Sequence, residues 1–147
     1  MTASRVIPKL WQGSKPPEGP GLAAQGFRLL VLCAREIQPH SQRFPGLVVL
    51  HAPLDDDPKR GLSAQEIQIA HEAADAVAKA IVAGHRTLVT CAMGLNRSGL
   101  VTALAMTRGL SVSPPTAIAL VRRARGNDAL GNRRFVQHLL SLGDSPR

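Results

Sequence analysis

The 147-residue sequence has no tyrosine, one tryptophan, three phenylalanines and two cysteines. Two cysteines do not make a disulfide framework, and so few aromatic residues argue against a surface that stacks nucleic-acid bases. No apolar run approaches the roughly 20 residues of a membrane-spanning helix, and the first residues contain no signal-peptide core. These absences predict a cytoplasmic protein for which nucleic acid is a weak, though not excluded, partner.

Basic residues outnumber acidic ones, with 18 Lys and Arg against 10 Asp and Glu and a net charge of +8. Such an excess favours an anionic partner and can steer its approach, although most of these charges can equally serve to solvate helix faces. Apolar residues make up 44% of the chain, enough for a real hydrophobic core. We therefore expect a single domain over residues 1–147, with loose ends at 1–5 and 143–147.

The apolar pattern predicts mostly strands in the first half of the chain and mostly helices in the second. Short β-branched or apolar runs predict strands over 7–14, 27–34, 47–51 and 86–90. Capping and periodicity predict a helical turn over 22–25 and helices over 63–84, 98–108, 113–125 and 132–142. This order predicts an α/β sandwich, in which helices flank a mostly parallel central sheet of four or five strands.

The stretch Thr90 to Gly99, which reads Thr-Cys-Ala-Met-Gly-Leu-Asn-Arg-Ser-Gly, joins a predicted strand to a predicted helix. The first N–H groups of a helix lack intrahelical partners and lie at the positive end of its dipole, which suits an anion. Gly94 allows the loop to curl, and the planar fork of Arg97 can hold two phosphate oxygens. Cys91 then lies in positive potential that favours its thiolate. The stretch predicts a phosphate site with a nucleophile in place.

Cys91-x5-Arg97-Ser98, with Gly94 between them, resembles the phosphate-binding loop of the cysteine-dependent protein tyrosine phosphatases, in the form found in their small dual-specificity branch. The resemblance implies a hydrolase that forms a phosphocysteine on Cys91, with Ser98 assisting the sulfur as it leaves. No metal ion or other cofactor is implied, because the thiol chemistry needs none. The residues implied to bind phosphate are Ala92, Met93, Gly94, Leu95, Asn96 and Arg97.

The resemblance also implies a general acid on a loop between a strand and a capped helix. Asp55, Asp56 and Asp57 lie in that setting. The family spacing, counted back from the helix start at 62–63, selects Asp56, while Asp55 and Asp57 remain candidates. Their alternative role is to cap the coming helix. Because a thiolate and a protonated aspartate must coexist, activity is expected on the acidic side of neutral pH.

Two further positions, Thr90 and Cys33, bear on whether the protein catalyses turnover and on how the Cys91 thiol responds to oxidation. Thr90 stands where the family usually has a histidine that orders the loop and tunes the thiol, and its absence leaves a phosphate-binding adaptor without turnover as an alternative. Cys33 is expected to be a small buried apolar residue. Its segment, 32–36, also resembles one in certain phosphoinositide phosphatases. That likeness implies a reversible disulfide between Cys33 and Cys91 under oxidation.

The absence of tyrosine means that the aromatic recognition loop of classical tyrosine phosphatases is missing, so a shallow pocket is expected. Phosphotyrosine, with some phosphoserine and phosphothreonine, is the first expected substrate. A phosphoinositide is the second, and RNA 5′-triphosphate the third, because residues 94–99 resemble loops of that branch. A sulfurtransferase is a rival that needs no aspartic acid. Asn132 and Phe135 match a family Asn-x-x-Phe element and are expected to brace the last helix.

Overall fold

The computed structural model describes residues 1–144, and none of the helices it describes is long and apolar enough to span a membrane. Short 3-10 turns lie at Ser41–Arg43 and Leu142–Asp144. The helices and strands of the described residues are, in chain order, β1 (Ala3–Ile7), β2 (Leu10–Gly13), α1 (Gly21–Ala24), β3 (Phe27–Ala34), β4 (Val48–Leu54), α2 (Ala64–Val82), β5 (Arg86–Thr90), α3 (Arg97–Gly109), α4 (Pro114–Arg125) and α5 (Arg133–Ser141).

The five strands form one sheet in the order β1-β2-β5-β3-β4, and β1 with β2 is its antiparallel pair. The pairs β2-β5, β5-β3 and β3-β4 are parallel. This arrangement confirms the predicted α/β architecture with its mostly parallel sheet. Because the carboxyl ends of parallel strands meet at one edge of a sheet, the segments that follow β2, β3, β4 and β5 come together there.

β3 is apolar except at the exposed Arg28, because both faces of the sheet are covered. Leu29 and Val31 belong to the main core, which the sheet shares with α2 to α5, whereas Leu30 and Leu32 point into a smaller core on the opposite face. Leu22 of α1 contributes to that smaller core. A strand buried on both faces reads as a continuous apolar run, which is the pattern that predicts β3.

The capping box at the start of α2 also fixes the loop that precedes it. Ser63 Oγ accepts the Glu66 N–H at 3.1 Å, and the Glu66 carboxylate accepts the N–H groups of Ser63 at 3.2 Å and Asp55 at 3.0 Å. Arg60 donates to the same carboxylate at 2.9 Å. Burial alone raises the pKa of Glu66, but these hydrogen bonds outweigh it and lower the pKa to about 2. The loop over 55–62 is therefore anchored at its start and at its end.

A pair of imidazoles connects α2 to α5. The Nε2 atoms of His71 and His138 lie 2.8 Å apart, a hydrogen bond that requires at least one neutral ring. Burial, followed by the positive charges of Arg108 and His138, lowers the pKa of His71 to about 4 against the opposing effect of Asp75. Burial and Arg108 also lower the pKa of His138. The helices are therefore joined by a pair that is neutral at physiological pH.

Several boundaries differ from the predicted ones. Residues 3–5, expected as a loose end, lie in β1, which pairs with β2 after a tight turn in which Lys9 has a φ of 73°. The strand expected over 47–51 continues to Leu54. β4 is an edge strand and its pairing with β3 shifts register between Leu32 and Ala34, two settings in which a proline such as Pro53 is tolerated. Residues 143–144 belong to the last 3-10 turn, and 145–147 lie outside the described residues.

Candidate active site

Three segments distant in sequence meet at the carboxyl edge of the sheet. Glu36 follows β3, Asp56 follows β4, and Cys91 follows β5 at the start of the phosphate loop, residues 91–97. The loop leads directly into α3, which is buried from Arg97 to Thr107. Cys91 and Arg97 are themselves buried, at 5% and 8% exposure. The site is thus built on the central strand and the most buried helix of the fold.

The phosphate loop turns its carbonyl groups outward. Those of Ala92, Met93, Gly94 and Leu95 all accept hydrogen bonds from the surrounding scaffold. In a trans peptide the next N–H points away from the carbonyl, so the N–H groups of residues 93–96 face the inside of the loop. In the described part of the chain these N–H groups donate to no protein acceptor. The loop is a bowl of backbone donors, which suits an oxyanion.

Two side chains from outside the loop hold it in this conformation. Gln12 Nε2, on β2, and Arg125 Nε, at the end of α4, each donate to the Gly94 carbonyl at 3.0 Å. Arg125 Nη2 also donates to the Met93 carbonyl at 3.4 Å. Burial lowers the pKa of Arg125, while Cys91 opposes that shift. Neither Gln12 nor Arg125 is identified from sequence, because both are far from the loop along the chain.

Gly94 is required by the loop for two separate reasons. Its φ is +72°, a left-handed conformation that side chains with a Cβ rarely adopt. A Cβ at this position would also lie 2.5 Å from the carbonyl carbon of Gly13 and 2.7 Å from the backbone nitrogen of Ser14. Both are backbone atoms at the end of β2, in its last residue and the one that follows, and cannot easily move. The prediction that Gly94 lets the loop curl thus agrees with its backbone conformation.

The guanidinium of Arg97 uses some of its N–H donors on protein acceptors and leaves others for a ligand in the phosphate loop. Its Nη1 and Nη2 donate to the two carboxylate oxygens of Glu36 at 2.6 and 2.8 Å, and Nη1 also donates to the Leu54 carbonyl at 3.1 Å. A guanidinium has five N–H donors, so these bonds leave Nε–H and one N–H of Nη2, which are parallel. Nε is buried and has no hydrogen-bond partner within residues 1–144. The remaining fork matches two phosphate oxygens.

Glu36 is the main site residue that the sequence analysis missed. The hydrogen bond from Arg97 lowers the pKa of Glu36 to about 2, against the opposing effect of burial. The same contact, named first among its causes, raises the pKa of Arg97. The Glu36 side chain is 57% exposed, so water screens its charge more than that of Arg97. A carboxylate just after a buried strand, at the edge where ligands bind, is the signal that could have identified it.

The sulfur of Cys91 lies 3.2 Å from the hydroxyl oxygen of Ser98, in the first turn of α3. Ser98 is fully buried, so its hydroxyl is shielded from water and has few hydrogen-bond partners other than the Cys91 sulfur. The Cys91 N–H donates to the Gly13 carbonyl at 3.2 Å, which fixes the start of the loop. Thr90, in the place of the family's histidine, donates from Oγ1 to the Val31 carbonyl at 2.9 Å. Thr90 therefore links β5 to β3 and does not contact the loop with its side chain.

The three candidate acids are in different environments. Asp55 pairs with Arg35 at 3.0 Å and with Arg60 at 3.1 Å. Asp57 accepts a backbone N–H two residues further on, at 2.9 Å, within its own turn. The Asp56 side chain alone among the three reaches the phosphate loop in the described structure. The geometry therefore favours Asp56 over Asp55 and Asp57, and its role as the acid stays a prediction.

The second thiol, Cys33, is fully buried on β3 and lines the same small gap as Cys91. Both cysteines are free thiols. Burial raises the pKa of Cys33 well above its usual value, the nearby Cys91 adds to the rise, and Arg97 opposes it. Cys33 is thus a neutral thiol close to the predicted nucleophile.

Solved structures of known proteins resemble this chain, although no protein-family model and no curated sequence matches it. Human DUSP28 is 30% identical, with a TM-score of 0.77 over 95% of this chain and 96% of that chain. A mouse putative dual specificity phosphatase, solved with zinc tungstate, is 29% identical, with a TM-score of 0.77 over 95% and 87%. The human tyrosine phosphatase-like serine/threonine/tyrosine-interacting protein, 18% identical, shares the fold, with a TM-score of 0.74 over 95% and 94%. The chain therefore belongs to the small dual-specificity branch of the cysteine-dependent protein tyrosine phosphatases.

Proposed function

We propose that the protein hydrolyses phosphate monoesters through a phosphocysteine intermediate on Cys91. The observation that supports this most directly is the meeting, in one loop, of the Cys91 sulfur, inward-facing N–H groups and the uncommitted Nε–H of Arg97. A tetrahedral phosphate held by these donors presents its phosphorus to the sulfur. The mouse relative was solved with tungstate, an oxyanion of the same shape, which is consistent with such a site.

In the proposed first step the thiolate of Cys91 attacks phosphorus. A P–S bond forms as the P–O bond of the ester breaks, and Asp56, in its carboxylic acid form, gives its proton to the departing oxygen. The N–H groups of residues 92–97 and the fork of Arg97 hold the equatorial oxygens, where negative charge develops. The products of this step are the free alcohol or phenol and phosphocysteine.

In the proposed second step water attacks the phosphocysteine. Asp56, now a carboxylate, takes a proton from the water as the new P–O bond forms and the P–S bond breaks. Ser98 donates its hydroxyl proton in a hydrogen bond to the leaving sulfur, which is consistent with their separation of 3.2 Å. Inorganic phosphate leaves, and the thiolate is regenerated. A reducing compartment such as the cytoplasm keeps Cys91 available for this cycle.

Phosphorylated protein, with phosphotyrosine preferred, is the substrate that we favour. Met93 is 70% exposed on the phosphate loop, where its thioether can pack against an aromatic ring. The loop positions between the motif residues are Ala92, Met93, Leu95 and Asn96. They include no Lys or Arg that could hold the additional phosphates of a phosphoinositide or of a 5′-triphosphate. A dual-specificity protein phosphatase is therefore our first assignment, and the other two substrates are outcomes of the test.

The test compares wild type with Cys91→Ser and Asp56→Asn on an aryl phosphate. We expect activity in wild type, none in Cys91→Ser, and a loss of roughly 10²- to 10⁴-fold in Asp56→Asn, the usual contribution of general acid–base catalysis. Vanadate binding without turnover would instead indicate a phosphate-binding adaptor. Thiosulfate-dependent conversion of cyanide would indicate a sulfurtransferase.

The substrate class is tested next with a panel of phosphopeptides, phosphoinositides and triphosphate RNA. We expect the highest kcat/KM with phosphotyrosine peptides and a lower value with phosphoserine and phosphothreonine peptides. A higher kcat/KM with a phosphoinositide or with triphosphate RNA would overturn the protein assignment and leave the phosphocysteine chemistry intact.

A further inference from the structure

Two carboxamides hold the Asp56 carboxylate over the phosphate loop. Asn96 Nδ2 donates to Asp56 Oδ2 at 2.9 Å, and Asn132 Nδ2 donates to Asp56 Oδ1 at 2.7 Å. A third bond, from the Asn132 N–H to Asn96 Oδ1 at 3.1 Å, closes the triangle. We call Asn96 and Asn132 the carboxamide clamp. Its members come from the residue before Arg97 and from the N-cap of α5.

The orientation of both amides is fixed by what their oxygens accept. Asn132 Oδ1 accepts the Arg134 N–H at 3.0 Å as the N-cap of α5, and Asn96 Oδ1 accepts the Asn132 N–H. Turning either amide round would lose a bond at the oxygen and another at the nitrogen. The two donors are therefore directed at Asp56 by the scaffold, and Asn132, which is only 3% exposed, has little freedom to move.

The clamp supplies the positional restraint that Asp56 lacks on its own. Asp56 is exposed on the loop over 55–62, and that loop is anchored through other residues. Each carboxylate oxygen has two lone pairs, of which the clamp uses one, so a second remains for a proton. Because one clamp residue belongs to the phosphate loop, the carboxylate is positioned relative to the bound phosphate.

We propose that Asn96 and Asn132 are positioning residues for proton transfer, holding Asp56 where it meets the leaving oxygen of the substrate. The inference rests on the proposed role of Asp56 as general acid. A side chain placed by packing and hydrogen bonds contributes far more to catalysis than one that must be ordered during the reaction. Asn132 is expected from the sequence to brace the last helix, and in the structure it also donates a hydrogen bond to Asp56.

Asn132→Ser isolates the clamp, because serine is also a good N-cap but is too short to reach Asp56. The matched control is Asn127→Ser, the same change at an exposed position before α5 that has no part in the clamp. Turnover is measured with phenyl phosphate, whose phenolate has a conjugate acid pKa of about 10 and needs a proton to leave. It is measured in parallel with dinitrophenyl phosphate, whose leaving group departs unprotonated.

We expect Asn132→Ser to lower kcat/KM for phenyl phosphate by roughly 10- to 100-fold, a part of the full contribution of a general acid. The comparison uses kcat/KM because that ratio reports the step that forms phosphocysteine, in which Asp56 is the acid, and not the second step, which both esters share. kcat/KM for dinitrophenyl phosphate should change little, and Asn127→Ser should match wild type. In an Asp56→Asn background, Asn132→Ser should have no further effect. Equal losses of kcat/KM with both esters, a normal kcat/KM for phenyl phosphate, or an additive loss in the double variant would overturn the proposal.

Failure of the clamp is distinguishable from failure of the acid. If Asp56→Asn is selective for the poor leaving group and Asn132→Ser is not, the clamp alone is wrong. If Asp56→Asn shows no selectivity, the acid assignment is wrong and the clamp has no catalytic role. Hydrogen exchange gives a readout without turnover: amides of residues 55–62 should exchange faster in Asn132→Ser than in Asn127→Ser, and equal exchange would contradict the restraint.

Discussion

Replacing Gly94 with alanine tests whether the phosphate loop has the conformation described here. The added Cβ meets two obstacles, the backbone φ of +72° and the β2 segment beneath it. The left-handed conformation costs about 1–2 kcal/mol for a residue other than glycine. The contacts at 2.5 Å with Gly13 and 2.7 Å with Ser14 add about 1–3 kcal/mol, a typical cost of overpacking. The total is about 2–5 kcal/mol.

The substitution can either lower the stability of the whole fold or shift the phosphate loop away from β2. Gly13 and Ser14 lie at the end of a paired strand, whereas the Gly94 peptide is held by two side chains, Gln12 and Arg125. We therefore expect the loop to shift and its N–H groups to lose their common direction. A hydrogen bond to a charged group contributes about 1.5–3 kcal/mol, so loss of one donor lowers vanadate affinity roughly 10- to 100-fold.

Gly84→Ala is the matched control. Gly84 has a φ of +84°, but a Cβ there would meet nothing within 4 Å. It therefore carries the conformational cost without the steric one. Urea denaturation of both variants gives the free energies of unfolding, and calorimetric titration with vanadate gives the affinities. Gly84→Ala should bind vanadate like wild type, whereas Gly94→Ala should bind it weakly.

Two outcomes would contradict the described conformation of the loop or its expected shift. If Gly94→Ala binds vanadate as wild type does and is no less stable than Gly84→Ala, the loop does not lie against β2 as described. Normal vanadate affinity with a stability loss of about 2–5 kcal/mol would mean that the loop is stiffer than its two supporting side chains imply, and that the strain is spread through the fold.

Three further predictions concern charge, pH and oxidation. Glu36→Gln should lower kcat/KM about 10-fold, because Arg97 loses a charge-assisted partner that fixes its fork. Stability should fall as the pH drops from about 6.5 to 4, since the unfolded chain protonates His71 more readily than the folded protein does. Over that pH range the free energy of unfolding should fall by about 1–2 kcal/mol, after allowance for solvent screening. Peroxide should oxidise the Cys91 thiolate to a sulfenic acid. The Cys33 thiol then displaces water to form a disulfide, and the protein loses the mass of two hydrogen atoms.

Each of these predictions has a control and a contrary outcome. Glu18→Gln makes the same change in an exposed ion pair and should leave kcat/KM unaltered; an equal effect of the two variants would remove the special role of Glu36. Urea denaturation between pH 4 and 7 should show a flatter profile for His71→Gln, and an unchanged slope would place the titration elsewhere. After peroxide, intact mass of wild type showing only a sulfinic acid, as expected for Cys33→Ser, would exclude the disulfide.

What the sequence predicts well is local along the chain. The phosphate loop could be identified because Cys91 and Arg97 lie in one short segment between a strand and a helix. The start of α2 could be identified because the two residues of its capping box, Ser63 and Glu66, are only three positions apart. Glu36, Gln12 and Arg125 could not be identified, because they reach the loop only through the parallel sheet and the packing of α4. β1 was missed for a similar reason: its strand conformation depends on pairing with β2 more than on its own composition.

The phosphate loop is supported by residues other than Thr90, which replaces the family's histidine. The Thr90 hydroxyl donates to the Val31 carbonyl across the sheet, so it gives the loop no side-chain support. Two donors converge instead on the Gly94 carbonyl, and the Cys91 N–H ties the first residue of the loop to β2. Since the loop is ordered from its outer side, its inward N–H groups do not depend on a histidine at position 90. The loop conformation therefore gives no support to the adaptor alternative, and the effect of Thr90 on the Cys91 thiol is left to the comparison of turnover with vanadate binding.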